Sequence, residues 1–149
     1  VGVEVGFRFC SCLRCVVISE TACHHVFRFQ LHLAKSIVFS EVIEHIEFDE
    51  GIRILNKLLD IIITNNERNV KIIMTTPNKN FNHNYLLKEE FRHDDHKFEL
   101  TQNEFINYVE DNLNKFNEKH NTKLSYKYSG IGDSVDNIYT SQAVVIYKK

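Results

Sequence analysis

The sequence has no tryptophan, one proline and only five glycines in 149 residues. So little proline and glycine excludes a flexible Pro/Gly linker and a collagen-like repeat. No apolar run approaches the roughly 18 residues of a membrane-spanning helix, so we expect no membrane partner. The chain has 18 basic and 20 acidic residues, and a net charge of −2 excludes a global basic field that would attract nucleic acid. An RNA partner would have to be held by a local site.

Cysteine is absent after the first 23 residues; the four that occur are Cys10, Cys12, Cys15 and Cys23. They stand near His24 and His25, but their spacing lacks the paired C-x-x-C form of a zinc site, so we expect no zinc there. A long cysteine-free remainder is typical of a disulfide-free intracellular fold, and no signal-peptide pattern is present. We expect a location in the cytoplasm, with the nucleus as the alternative.

The first 35 residues have no clear apolar period of two or of 3.6, and we leave residues 1–35 unassigned. The chain also begins with valine, and its one methionine is Met74. We therefore expect a fragment of a longer protein, or a misjoined gene in which residues 1–35 are a non-homologous segment. The rest of the chain is long enough for one hydrophobic core.

From residue 36 onward the apolar pattern predicts an α/β fold with the order β-α-β-loop-α-β-β. Short runs of apolar and β-branched residues predict four strands, over 36–40, 70–76, 124–128 and 143–147. The first two read as buried parallel strands, and the last two as a hairpin whose turn is marked by Gly130 and Gly132.

Apolar steps of three and four predict the helices. A short one covers 41–47, and a longer one runs from Asp49 to the asparagine pair at 65–66. Thr101 and Glu104 form a capping box that begins the last helix. Residues 78–99 remain as a polar loop of a length that is often functional in compact domains.

Polar side chains with metal-binding chemistry follow the first predicted strand. On a helix, Glu41, Glu44 and His45 would share one face, because positions i, i+3 and i+4 are neighbours. Two carboxylates and one imidazole can bind a divalent cation. The carboxyl end of a parallel sheet is also where open α/β folds bind ligands. The same residues fit an ordinary solvated acidic helix face, so this motif alone leaves both interpretations open.

A second group of polar residues ends the long loop. His96 is a candidate fourth ligand, and His93 is its rival. Carboxylate oxygens favour Mg²⁺ or Mn²⁺, and imidazole shifts the preference toward Mn²⁺. Residues 75–78, Thr-Thr-Pro-Asn, would lie beside this site if the first two strands are neighbours. A solvated polar loop and a plain strand-to-loop turn are the alternatives.

These motifs occur together, in this order, in one family. The chain closely resembles the small-RNA 2′-O-methyltransferases in the runs Ser-Glu-Val-Ile-Glu-His (40–45), Thr-Thr-Pro-Asn (75–78) and Phe-Arg-His-Asp-Asp-His-Lys-Phe-Glu (91–99). The resemblance covers about residues 36–149. It implies a Rossmann-like class I fold dependent on S-adenosylmethionine, of which residues 36–149 would be the C-terminal half.

The resemblance also implies a reaction and its site. The enzymes of this family methylate the 2′-hydroxyl of the 3′-terminal ribose of small RNAs, single- or double-stranded. By the family pattern, the ligands of a Mg²⁺ or Mn²⁺ ion are Glu41, Glu44, His45 and His96. The ion would hold the 2′ and 3′ hydroxyls of the last nucleotide. Arg92 and Lys97 are candidates for contact with RNA phosphates, a role that competes with plain solvation of loop charges.

The glycine-rich turn that would bind S-adenosylmethionine is not found before Ser36. Gly2 and Gly6 lack the Gly-x-Gly form, and too few residues lie between Gly6 and Glu41 for two further βαβ units. Two hypotheses follow. The chain is part of a metal-dependent RNA methyltransferase, or it is a truncated, inactive homologue that still binds a metal and an RNA 3′ end.

Overall fold

The computed structural model describes residues 6–9, 15–19, 35–65, 69–85, 87 and 91–149. Its strands are β1 (Gly6–Phe9), β2 (Cys15–Ser19), β3 (Ser36–Ser40), β4 (Lys71–Pro77), β5 (Leu124–Val135) and β6 (Ile138–Lys148). The α-helices are α1 (Phe48–Thr64) and α2 (Gln102–His120), and two 3-10 helices cover Ile43–His45 and Lys79–Asn84. The first two strands lie in the segment that we left unassigned. The cysteines at 10, 12 and 23 lie outside the described residues.

The strands form one sheet in the order β1-β2-β3-β4-β6-β5. Strands β2, β3 and β4 are parallel neighbours, whereas β6 runs antiparallel to both β4 and β5. The parallel pairing of β3 with β4 and the closing hairpin confirm the prediction. Because β3 and β4 point the same way, Ser40 pairs with Thr75, and the polar residues that follow both strands meet at one edge of the sheet.

The hairpin turns at a different place from the predicted one. Both β5 and β6 extend past the two glycines, and the turn lies at Asp136 and Asn137, whose φ angles are 51° and 64°. A two-residue hairpin turn of type I′ needs positive φ at both central positions, which Asp and Asn tolerate. Gly132, with φ of 82°, lies instead in an irregular stretch of the strand pairing.

Both α-helices bury the apolar faces that the periodicity predicts. Helix α1 buries Leu55, Leu58, Leu59 and Ile62, and α2 buries Phe105, Val109, Leu113 and Phe116. The capping box is confirmed, since the Thr101 hydroxyl accepts from the Glu104 amide while Glu104 accepts from the Thr101 amide. These faces pack into one core with the buried residues of β3, β4 and β6. None of the helices in the described part of the chain is long and apolar enough to cross a membrane.

Candidate metal centre

The chain turns sharply at Glu41, directly after β3. Glu41 has a φ of 51°, in the left-handed region that non-glycine residues rarely adopt. Its amide donates to the Thr75 carbonyl at 3.0 Å and lies 3.2 Å from the Thr75 hydroxyl oxygen, and its Oε1 accepts from that hydroxyl at 2.9 Å. This attachment to β4 excludes a right-handed helix at Glu41. The predicted helix over 41–47 is therefore reduced to the 3-10 turn Ile43–His45.

Glu44 is the most deeply buried acid of the site, with an exposed fraction of 0%. Its Oε2 accepts from the Thr76 hydroxyl at 3.0 Å, whereas its Oε1 has no hydrogen-bond partner among the described residues. Burial raises the pKa of Glu44 to about 8, and the neighbouring charges of Glu41 and Glu99 add to the rise. A buried carboxyl with one unpartnered oxygen is a natural position for a cation.

Two histidine rings complete the centre. The rings of His45 and His96 meet edge to face with their centroids 4.7 Å apart. The backbone amide of Lys97 donates to the Glu44 carbonyl at 2.6 Å, which attaches the loop to the 3-10 turn. As a result, Glu44, His45 and His96 each offer one ligand atom, and these atoms lie within 4.8 Å of one another.

The other predicted site residues lie around this trio. Glu41 stands outside it, with its carboxylate held by Thr75. His93 is exposed, and its ring centroid lies 5.1 Å from that of His96. Lys97 is exposed as well. Arg92 is half-buried, and its guanidinium lies 5.2 Å from the centre of the Tyr85 ring.

Glu99 was missed by the sequence analysis, although it supports the site directly. It is only 4% exposed, it accepts from the Arg92 amide at 2.7 Å and from the Asn82 side chain, and its Oε1 lies 2.6 Å from His96 Nδ1. Burial alone would raise the pKa of Glu99, but these hydrogen bonds outweigh it and lower the pKa below the ordinary value. The available signal was its position at the end of the run Phe-Arg-His-Asp-Asp-His-Lys-Phe-Glu.

Gln142 of β6 was also missed. Its side-chain amide donates to the carbonyls of Pro77 at 3.2 Å and Leu100 at 2.8 Å. The amide of Lys79 donates to the same Leu100 carbonyl at 3.0 Å. These bonds hold the two ends of the loop that carries His96 next to each other. A glutamine directly before the apolar run Ala-Val-Val-Ile was the sequence signal that could have revealed it.

The donor set fits a divalent cation. One carboxylate and two imidazoles are ligands of Mn²⁺ and other transition metals more than of Mg²⁺, which prefers oxygen. The unpartnered Oε1 of Glu44 supplies an independent reason, since leaving one oxygen of a buried carboxylate without a partner is costly unless a cation binds it. Among the described residues, this trio is also the group of acids and histidines with metal-binding geometry.

The backbone conformation of Glu41 yields a stability prediction. A non-glycine residue in the left-handed region costs about 1 kcal/mol or more, and glycine avoids that cost. We expect the free energy of unfolding of Glu41→Gly to be about 1 kcal/mol higher than that of Glu41→Ala, so the glycine variant is the more stable one. Both variants lose the carboxylate. Urea denaturation of the two variants measures the difference. Equal stability, or a more stable alanine variant, would contradict the strained turn.

No family model matches the chain. Two curated proteins are similar to it, and both are named small RNA 2′-O-methyltransferase. The protein of Caenorhabditis elegans is 34% identical over 77 residues, and that of Tetrahymena thermophila is 36% identical over 73 residues. The matches cover 51% and 47% of this chain but only 16% of each relative. The chain therefore spans a small part of the length of these relatives.

Solved structures extend the likeness to the fold. A crystal structure of small RNA methyltransferase HEN1 is 28% identical, with a TM-score of 0.60, over 78% of this chain and 14% of the other. The methyltransferase domain of bacterial CtHen1-C is 27% identical, with a TM-score of 0.53, over 77% of this chain and 52% of the other. A Pnkp1/Rnl/Hen1 RNA repair complex also matches, at 31% identity and a TM-score of 0.57, over 76% of this chain and 22% of the other. The expected α/β methyltransferase fold is confirmed.

Proposed function

Because this chain is related in sequence and fold to part of the small-RNA 2′-O-methyltransferases, we propose that it binds the 3′ end of small RNA in a methyltransferase domain. The reaction is the transfer of a methyl group from S-adenosylmethionine to the 2′-hydroxyl of the 3′-terminal ribose. The observation that carries the proposal is the convergence of Glu44, His45 and His96, from two separate segments, at the carboxyl end of the parallel strands.

Glu44, His45 and His96 would hold a Mn²⁺ or Mg²⁺ ion, and Glu41 is the candidate for a further ligand. When bound, such an ion lowers the pKa of a hydroxyl and orients it, which a weakly acidic ribose hydroxyl needs at neutral pH. Thr76 orients the Glu44 carboxylate through its hydroxyl. The rest of the catalysis is positioning of the terminal ribose against the methyl donor.

Lys97 is better placed than Arg92 to contact an RNA phosphate. Its side chain is exposed, and its backbone is fixed beside the site by the bond to Glu44. The Arg92 guanidinium already donates to the Asn82 side chain at 2.7 Å and to the Asn78 carbonyl at 2.8 Å. A guanidinium that is held by two hydrogen bonds is less free to bind a phosphate. We therefore assign the RNA contact to Lys97 in preference to Arg92.

The proposal is tested by the binding of short RNAs that differ only in their last ribose. We expect Mn²⁺ to increase the affinity for an RNA with a free 2′,3′-diol at least tenfold, measured by fluorescence anisotropy. The same RNA with a 3′-phosphate should gain nothing from Mn²⁺. Equal affinity for both ends, with and without Mn²⁺, would refute the recognition of the terminal diol.

The truncated-homologue hypothesis differs from this one in the methyl donor. The part of this sequence before Ser36 contains no Gly-x-Gly turn, so binding of the methyl donor by this chain has to be measured. Calorimetric titration with S-adenosylmethionine separates the two. Binding heat, followed by methyl transfer to the diol-ended RNA, supports the enzyme. Retained Mn²⁺ and RNA binding without any heat from S-adenosylmethionine supports a binding protein that lacks catalysis.

A further inference from the structure

A buried chain of hydrogen bonds runs from Arg92 through Asn82 and Glu99 to His96. Each of these bonds is 2.7 Å or shorter. Asn82 is 8% exposed, Glu99 4% and His96 6%, so water has little access to their polar atoms. The chemistry of the groups therefore decides which of them donates.

The direction of the chain is set at Arg92. A guanidinium can only donate, so the Asn82 atom that faces Arg92 Nε must be its oxygen. The Asn82 NH₂ group therefore points the other way and donates to Glu99 Oε2. The second guanidinium bond, from Arg92 to the Asn78 carbonyl, keeps the arginine in place. If the Asn82 amide were rotated by 180°, its NH₂ group would face the Nε–H of Arg92, and two donors would meet.

Glu99 carries the same direction to the histidine. Its Oε2 accepts from Asn82, and its Oε1 accepts from the Arg92 backbone amide, which can only donate. Both oxygens face donors, so Glu99 has no proton to offer. His96 Nδ1, at 2.6 Å from Oε1, must be the donor in that bond. The proton of a neutral His96 ring is then on Nδ1, and Nε2 keeps its lone pair.

We infer that Arg92, acting through Asn82 and Glu99, is a positioning residue that fixes His96 in the Nδ1–H form and reserves Nε2 for a metal ion. The metal-binding role of Nε2 rests on the proposed function, whereas the tautomer of His96 does not. The neighbouring pair differs: His45 Nδ1 lies 3.0 Å from Asp95, whose side chain is 65% exposed. Water can replace that carboxylate, so Asp95 does not impose a direction in the same way.

The test begins with metal-free protein, labelled with ¹⁵N at histidine. We expect NMR at a pH where the ring is neutral to find His96 protonated on Nδ1. In Glu99→Gln, the new NH₂ group meets the donors of Asn82 or Arg92, so the direction is lost and the Nε2–H form should predominate. Asp95→Asn is the control, and it should leave the His96 tautomer unchanged. A wild-type His96 protonated on Nε2 would overturn the inference, even if Glu99→Gln failed to fold.

A double variant separates the effect of the hydrogen-bond direction from the effect of the negative charge of Glu99. In Asn82→Asp with Glu99→Gln, the aspartate accepts from Arg92 and from the glutamine NH₂, and the glutamine oxygen still accepts from His96. We expect Glu99→Gln to lower the Mn²⁺ affinity about 10- to 100-fold, as outer-shell partners of metal ligands do. The double variant should restore both the Nδ1–H form and most of the affinity. A double variant that keeps the Nε2–H form would overturn the relay.

The two proposals fail in different ways. If wild-type protein has the Nδ1–H tautomer and the variants behave as expected by NMR, the relay stands whatever the metal result. If that same protein shows no Mn²⁺ binding, the proposed metal-dependent function is wrong. If Mn²⁺ binds tightly and the Glu99→Gln tautomer is unchanged, the relay is wrong and the metal centre stands.

Discussion

Glu44→Gln is expected to abolish Mn²⁺ binding and, at the same time, to make the metal-free protein more stable at pH 7 to 8. The loss of binding follows because an amide cannot supply the charged oxygen that the centre needs. The gain in stability follows because the wild-type carboxyl is buried, and ionising it inside the protein is unfavourable. Glutamine copies the neutral acid in shape and can still accept from the Thr76 hydroxyl.

The sign of the effect comes from the pKa. The pKa of Glu44 is about 8 in the folded protein against 4.5 for an unperturbed glutamate, so the folded state binds more protons between these pH values. The stability that the neutral carboxyl provides is complete below pH 4.5, and it is lost as the pH rises to about 8. By pH 7 the free energy of unfolding of the wild-type protein has fallen by on the order of 3 kcal/mol. The glutamine variant has no such carboxyl, so its free energy of unfolding does not fall for this reason.

Two measurements check this prediction. Urea denaturation in the presence of EDTA at pH 5, 7 and 8 should show a wild-type stability that falls with pH more steeply than that of the variant. Calorimetric titration should show Mn²⁺ binding for the wild type alone. Glu118→Gln makes the same chemical change at an exposed position of α2 and should alter neither result. Unchanged Mn²⁺ affinity in Glu44→Gln would remove Glu44 from the ligand set.

The second large effect distinguishes the two candidate ligands of the loop, His96 and His93. His96→Asn is expected to lower the Mn²⁺ affinity more than about 100-fold, because losing a ligand costs more than losing an outer-shell partner. His93→Asn should change the affinity less than about twofold, since His93 is exposed and stands outside the trio. Titrations of both variants, with thermal melts to verify that each is folded, provide the comparison. A larger loss in His93→Asn would reverse the assignment of the ligand.

Much of the fold could be predicted from local pattern, because apolar periodicity acts within each element. The β3 and β4 strands, the buried face of α1 and the capping box at Thr101 are examples. The conformation of Glu41 could not be predicted in this way. It depends on three contacts with Thr75, a residue far away in sequence, and these contacts prevent the helix that the local spacing favours.

The site was predictable to the extent that its residues belong to recognisable motifs. Of the four predicted ligands, Glu44, His45 and His96 lie together and Glu41 lies outside the group, and which of them hold a metal remains a prediction. Glu99 ends one of these motifs and Gln142 belongs to none, and the importance of both comes from burial and from bonds to backbone groups elsewhere in the chain. The direction of a hydrogen-bond chain is a property of assembled side chains and is invisible in sequence.

The bonds of Gln142 have a consequence for the order of events during synthesis. Glu44, His45 and His96 all precede β6 in the chain, but the loop that carries His96 is fastened by a side chain of that strand. Strand β6 also separates β4 from β5 in the sheet. We therefore expect a nascent chain that ends before residue 138 to have all three side chains without the strand that fastens their loop, so that the centre is assembled only once β6 has been made.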